Sequence, residues 1–261
     1  MRVEGATALL LATSACGLNT PKVETPTIHW VAAGLGRCTS LTPAARPGTE
    51  SVIAACERGA VEVSSDAKVT TIHPTMVDHV ALSSNQLWLK LPDRLLKGQL
   101  PAPGEVFSAQ HSLRLSTIDD MLAVPGSPLV VATPGTLVHV SADAVAARWR
   151  KVPVPLHQLT AGPGGEIWAV SHNAVHAVER RQFRQVVGGL SAVAAAAALP
   201  SGGLVVASGT PAQLSTISDG RFTPSGVFIE GLTDLTATPG GTAPRLWLTT
   251  ADGSVGYTTV P

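Results

Sequence analysis

Two histidines four positions apart, His172 and His176, are the nearest this sequence comes to a metal-ligand pair. On a helix that spacing would set both imidazoles on one face. In strands, or across a turn at Asn173, it holds them too far apart to share a zinc ion, so no metal site is expected. Asp119 and Asp120 are adjacent carboxylates, the residue type of an acid/base pair. Neighbouring strand residues point to opposite faces, so the two read as a turn or a solvated pair rather than as groups flanking one bond. No Gly-rich loop before a helix cradles a phosphate and no EF-hand spacing occurs, so no cofactor is expected. Arg148, Trp149 and Arg150 differ in kind: an aromatic ring between cations on an expected outer strand suits a protein-contact patch, and equally a covered sheet edge.

The elements that would position these groups follow from composition, processing and repeats. The chain has 261 residues, 18 Lys+Arg against 18 Asp+Glu, 14% charged and 44% hydrophobic. So little charge at zero balance excludes disorder and the basic footprint that nucleic acid or an anionic membrane requires. Met1-Arg2, an apolar run from Ala6 to Ala15 and then Cys16 have the order of an export signal. Ser14-Ala15-Cys16-Gly17 resembles a bacterial lipobox, with Thr13 where that motif carries Leu and Glu4 offsetting Arg2. The resemblance implies a signal peptide over 1–15, lipid on Cys16, a tether over 16–27 reaching at most about 35 Å, and a folded region over 28–261. Such a protein sits in the bacterial cell envelope, on the periplasmic or extracellular side; ordinary secretion and a mis-set start codon are the alternatives. No other segment reaches about 18 apolar residues, so the lipid is the one membrane contact expected.

Export would leave Cys38 and Cys56 as an even pair in an oxidising compartment. Arg46-Pro47-Gly48 lies midway between them, and two strands folded about that turn bring the cysteines opposite each other. A disulfide is therefore expected, with two free buried thiols as the alternative.

One phrase recurs six times: an apolar strand, a Pro/Gly/Ser turn, an apolar strand often centred on Trp, a polar turn, and an alternating strand. The clearest copy runs from Leu156 to Glu179. Taking the Trp position as anchor gives Ile53, Trp88, Val130, Trp168, Val205 and Trp247, spaced by 35, 42, 38, 37 and 42 residues. Gly, Pro, Ser and Thr break nearly every run before helix length, and a period near 39 with several short strands is that of propeller blades. The expected fold is all-β: a six-bladed β-propeller of four-stranded antiparallel blades. The orphan strand around Trp30 would join the three-stranded last copy and close the ring. The run Ala194 to Ala198 favours helix by propensity, but the repeat places it on a crowded innermost strand, where small side chains fit. Trp30, Trp88, Trp168 and Trp247 are expected between blades.

The phrases Gly165-EIWAV and Arg245-LWLT resemble the blade signature of two-component-regulator propellers, NHL repeats and the streptogramin lyases. Val31-AAGLGRCTSL is faintly similar to the RCC1 repeat, and the Gly-His and Trp-Asp signatures of WD40 chains are missing at blade positions. The resemblance implies the fold and, because such families include sensors, scaffolds and enzymes, no single function. Streptogramin lyases use His and Glu at the channel mouth; His157, Glu166 and His111 are the candidates here, with no motif that assigns those roles. The first functional reading is a monomeric, lipid-anchored, non-catalytic module that binds an envelope protein or serves as a scaffold. An envelope lyase or hydrolase with its site at the channel mouth is the second, and a ligand-binding sensor the third.

Overall fold

A computed structural model of the chain describes residues 26–46, 48–115, 117–124, 126–141, 145–162, 165–179, 183–200, 202–218, 221–239 and 244–259; at 45, 49 and 145–150 it describes the backbone alone. The expected signal peptide, Cys16 and all but the end of the tether lie outside these residues.

The described residues form six antiparallel four-stranded sheets. Blade 1 holds β2 (Cys38–Arg46), β3 (Thr49–Cys56), β4 (Gly59–Ser64) and β5 (Val69–His73), and blade 2 holds β6 (His79–Ser83), β7 (Gln86–Lys90), β8 (Leu95–Gln99) and β9 (Ala109–Leu113). Blade 3 holds β10 (Asp120–Leu122), β11 (Leu129–Thr133), β12 (Thr136–Val140) and β13 (Val145–Lys151); blade 4 holds β14 (Gln158–Ala161), β15 (Ile167–Ser171), β16 (Ala174–Val178) and β17 (Phe183–Val187). Blade 5 holds β18 (Val193–Ala198), β19 (Leu204–Ser208), β20 (Ala212–Ser218) and β21 (Arg221–Ile229). Blade 6 is β22 (Leu232–Thr238), β23 (Arg245–Thr250), β24 (Val255–Thr259) and, outermost, β1 (His29–Ala32). All six sequence anchors fall on the second strand of their blades. The Ala194–Ala198 run is the inner strand of blade 5, so crowding around the channel overrides helix propensity there.

Alternation along each strand turns one set of side chains to the preceding blade and the other to the following one. The described core accordingly splits into six clusters, one per blade interface. Trp88 faces blade 3 and Trp247 faces blade 1, both buried. Trp30 departs from the expectation: β1 is an outermost strand, and its indole, 50% exposed, lies over Gly256 instead of between blades. A Cβ on Gly256 would stand 2.8 Å from Trp30 Cε3, so glycine is what lets β1 close on β24. At the next contact around the ring, Gly253 takes φ +81° in the β23–β24 turn and packs against the Gly36 backbone, while Leu35 N–H donates to its carbonyl at 3.3 Å.

Cys38 and Cys56 are directly opposite in the β2–β3 register and are bridged, with Cα atoms 4.0 Å apart. Both are fully buried in the interface between blades 6 and 1, where the ring closes. Among the described residues, no helix is long and apolar enough to cross a membrane.

Candidate functional site

Each inner strand carries, within its first three residues, one residue at the same place in the repeat: Ser40, His79, Asp120, Gln158, Ala195 and Asp234. Four of them bond the backbone of another blade. Asp234 of blade 6 accepts Leu41 N–H of blade 1 at 2.6 Å through Oδ2. Ser40 lies 3.4 Å from Val80 N of blade 2, Asp120 of blade 3 accepts Leu159 N–H of blade 4 at 2.6 Å, and Gln158 Oε1 accepts Ala196 N–H of blade 5 at 2.7 Å. His79 Nδ1 stands 3.2 Å from Asp120 Oδ1. Position 195 offers only a methyl, and Gln158 reaches over it: its Nε2 donates to Asp234 Oδ1 and, at 3.3 Å, to the Leu235 carbonyl. One girdle of side chains thus runs round the channel and ties blade to blade. Below it the channel encloses a cavity of about 300 Å³ lined by the inner strands of all six blades.

Blades 3 and 6 stand opposite each other in a six-membered ring, and the charge of Asp120 acts on Asp234 across the channel. Burial, reinforced by that charge, pushes the Asp234 carboxyl well above its ordinary value, against the Leu41 and Leu235 N–H groups and the Gln158 amide that favour the anion. Burial also raises Asp119, with the charge of His79 opposing it and that of Asp120 adding to it.

Several sequence expectations change at this point. Asp120 is neither a turn residue nor solvated: it opens β10 and is 5% exposed, because a position at the start of an inner strand faces the channel. His176 is buried on β16 beside Ser171 Oγ, 3.3 Å away, and tilted against Phe183. His172 occupies the β15–β16 turn and is exposed, so the two do not converge. His157 precedes β14 at the girdle end, Glu166 lies in the turn at the far end of that strand, and His111 is on the outermost strand of blade 2, so these three are not brought together. Arg148, Trp149 and Arg150 lie on β13, the outer strand of blade 3, with their side chains outside the description. Cys16 is outside it entirely.

Ser40, His79, Gln158 and Asp234 were missed by motif reasoning. A signal did exist: this one position of the repeat is polar in five of six copies, at spacings of 39, 41, 38, 37 and 39 including Ala195.

Around the girdle the same face of the ring carries two grooves. One, formed by blades 4 to 6, is lined by His172, Thr210, Glu230 and apolar residues that include Ile229 and Leu232. The other, on blades 1 to 3, is lined by Arg37, Glu57, Met76, Asp78 and His79, with buried Lys90 held by Asp78 at 3.4 Å and by the carbonyls of Leu91 and Pro92. No group of three or more described His, Cys, Asp or Glu residues is arranged to hold a metal ion.

No protein family and no curated protein matches this sequence. Among solved structures, a protein assigned as a gluconolactonase is similar at 15% identity over 90% of this chain and 92% of the other, TM-score 0.64. A streptogramin B lyase is similar at 10% identity over 90% and 98%, TM-score 0.61. A WD40 β-propeller domain follows at 13% identity over 92% and 87%, TM-score 0.59. At such identities the likeness is one of fold, shared by enzymes and a WD40 domain alike.

Proposed function

We propose that the chain is a non-catalytic binding module: a single propeller ring that presents its girdle-side loops and outer strands to a protein partner in the bacterial cell envelope. The supporting observation is the state of the channel carboxylates. Asp234 accepts Leu41 N–H on one oxygen and Leu235 N–H and the Gln158 amide on the other, while Asp120 accepts Leu159 N–H on one oxygen and has His79 Nδ1 3.2 Å from the other. A general base or nucleophile needs an oxygen turned to substrate; both oxygens of Asp234 and one of Asp120 are spent in joining blades. Lipid on Cys16 holds the ring to the membrane in this reading, and Arg148, Trp149 and Arg150 on β13 form the candidate contact with the partner.

Chemical crosslinking of the full chain in its native envelope tests the proposal. The expected result is a discrete cross-linked protein that disappears when Trp149→Ala is combined with Arg148→Glu and Arg150→Glu. Turnover of a lactone or cyclic ester by the purified chain, abolished by Asp120→Asn in a variant that remains folded, would overturn it in favour of the hydrolase or lyase reading.

A further inference from the structure

A third groove opens on the opposite face of the ring, between blades 2 and 3, and it has a different chemistry. It encloses about 550 Å³. On blade 2, Gln86 stands opposite Gln99, and two residues along Trp88 stands opposite Lys97, so period-2 alternation turns all four to blade 3. Gln110 on the neighbouring outer strand and Asn85 in the β6–β7 turn add two more amides. Ser84, with φ +55°, shapes that turn, and Ser127 stands on the facing wall. Among the described residues, the side-chain amides of Asn85, Gln86, Gln99 and Gln110 bond no other protein group, and all four side chains are exposed. Trp88 is buried beneath Lys97, whose ammonium lies 5.1 Å from the ring centroid. Lys97 is the one charged residue among the described lining, and no described carboxylate pairs with it.

Each primary amide offers two donors and an acceptor with two lone pairs, and each serine hydroxyl a donor and two acceptor lone pairs. Ala123, Pro128, Leu129 and Val140 line the blade 3 side, but an apolar small molecule would leave the amides of blade 2 without partners, and a nucleic acid calls for several cations. A peptide hot spot would show an aromatic or Arg anchor, and the tryptophan here is covered. Dense neutral donors and acceptors around one cation match a polyhydroxylated ligand that sets one carboxylate against Lys97. We infer that this groove is a binding site for an acidic oligosaccharide, with Gln86, Gln99, Gln110 and Asn85 on its hydroxyls and Lys97 on its carboxylate. It faces away from the girdle and needs no property of the proposed protein contact.

Calorimetric titration of the detergent-solubilised full chain with a galacturonate hexamer, and with a galactose hexamer as neutral counterpart, tests the assignment. Wild type is expected to bind the acidic hexamer saturably and at least tenfold more tightly than the neutral one. Lys97→Met keeps an apolar stem on Trp88 and is expected to lose at least tenfold for the acidic hexamer alone. Gln86→Ala with Gln99→Ala, two exposed positions, is expected to weaken both sugars without moving the urea midpoint. No saturable binding of the acidic hexamer, or binding that either variant leaves unchanged, would overturn the assignment; loss in Lys97→Met alone would reduce it to non-specific charge attraction and overturn it equally.

Discussion

Asp234 is held above its ordinary pKa, first by burial and then by the Asp120 charge, and this has a defined consequence for stability. Between the unfolded value, about 4, and the raised native value, the folded chain keeps a proton that the unfolded chain has lost. The native state then binds more protons, so the stability contributed by protonated Asp234 is complete below about pH 4 and is lost as pH rises through the native value. Asp234→Asn does not titrate, and its urea midpoint is expected to fall less than that of wild type between about pH 5 and pH 8. Parallel midpoints across that range would show that Asp234 ionises normally. At the disulfide, replacing both Cys38 and Cys56 by Ser reopens a loop with a sequence separation of 18. The expected loss is about 3 kcal/mol, read by urea unfolding without reductant. Alkylation of both cysteines in the intact unreduced protein would contradict the bridge.

The strand that closes the ring makes its own prediction. Gly256→Val places a branched side chain against the Trp30 ring and the His29 carbonyl, so β1 has to lift from β24. The expected cost is about 2–3 kcal/mol, with new protease cleavage between residues 26 and 32; an uncleaved strand at wild-type stability would show that β1 does not need that contact. Blade number, the pairing of the cysteines across β2 and β3, and the use of β1 in blade 6 were legible because turn residues and the Trp anchor repeat at blade length. Trp30 was misjudged because it shares the residue type of the anchors but sits on an outermost strand, where exposure is set by position. The girdle was not legible from motifs, because its members are of different residue types, Ser, His, Asp and Gln, and all but His79 bond to backbone. Such contacts constrain the shape and reach of a side chain rather than its identity, and only the register of the repeat relates them. The oligosaccharide groove was hidden for another reason: Gln86 and Gln99 are far apart in sequence and meet only through the β7–β8 register.

At the scale of the whole molecule the ring is six blades with six separate apolar interfaces, and the girdle is the polar belt that crosses all but one of its inner strands. If Cys16 carries the lipid, Cys16→Ser in the producing cell is expected to move the folded ring from the membrane fraction to the soluble one. Lipid contributes about 0.8 kcal/mol per buried CH₂, whereas a chain of zero net charge gains no overall attraction to an anionic bilayer; continued sedimentation after a salt wash would show another attachment. Within the ring, Gln158 touches blade 5 through Ala196 N–H and blade 6 through Asp234 and Leu235 while belonging to blade 4. Truncating it strands a buried amide hydrogen and removes a partner of a buried carboxyl, each worth about 1–3 kcal/mol. Groups kept for catalysis or ligand capture tend to do the reverse, since their removal leaves stability unchanged or raises it. The urea unfolding free energy of Gln158→Ala against wild type therefore separates a belt that joins blades from a site that acts on a ligand. A fall of about 2–4 kcal/mol with an unchanged m-value is the result expected of the belt; an equal or higher unfolding free energy would contradict it.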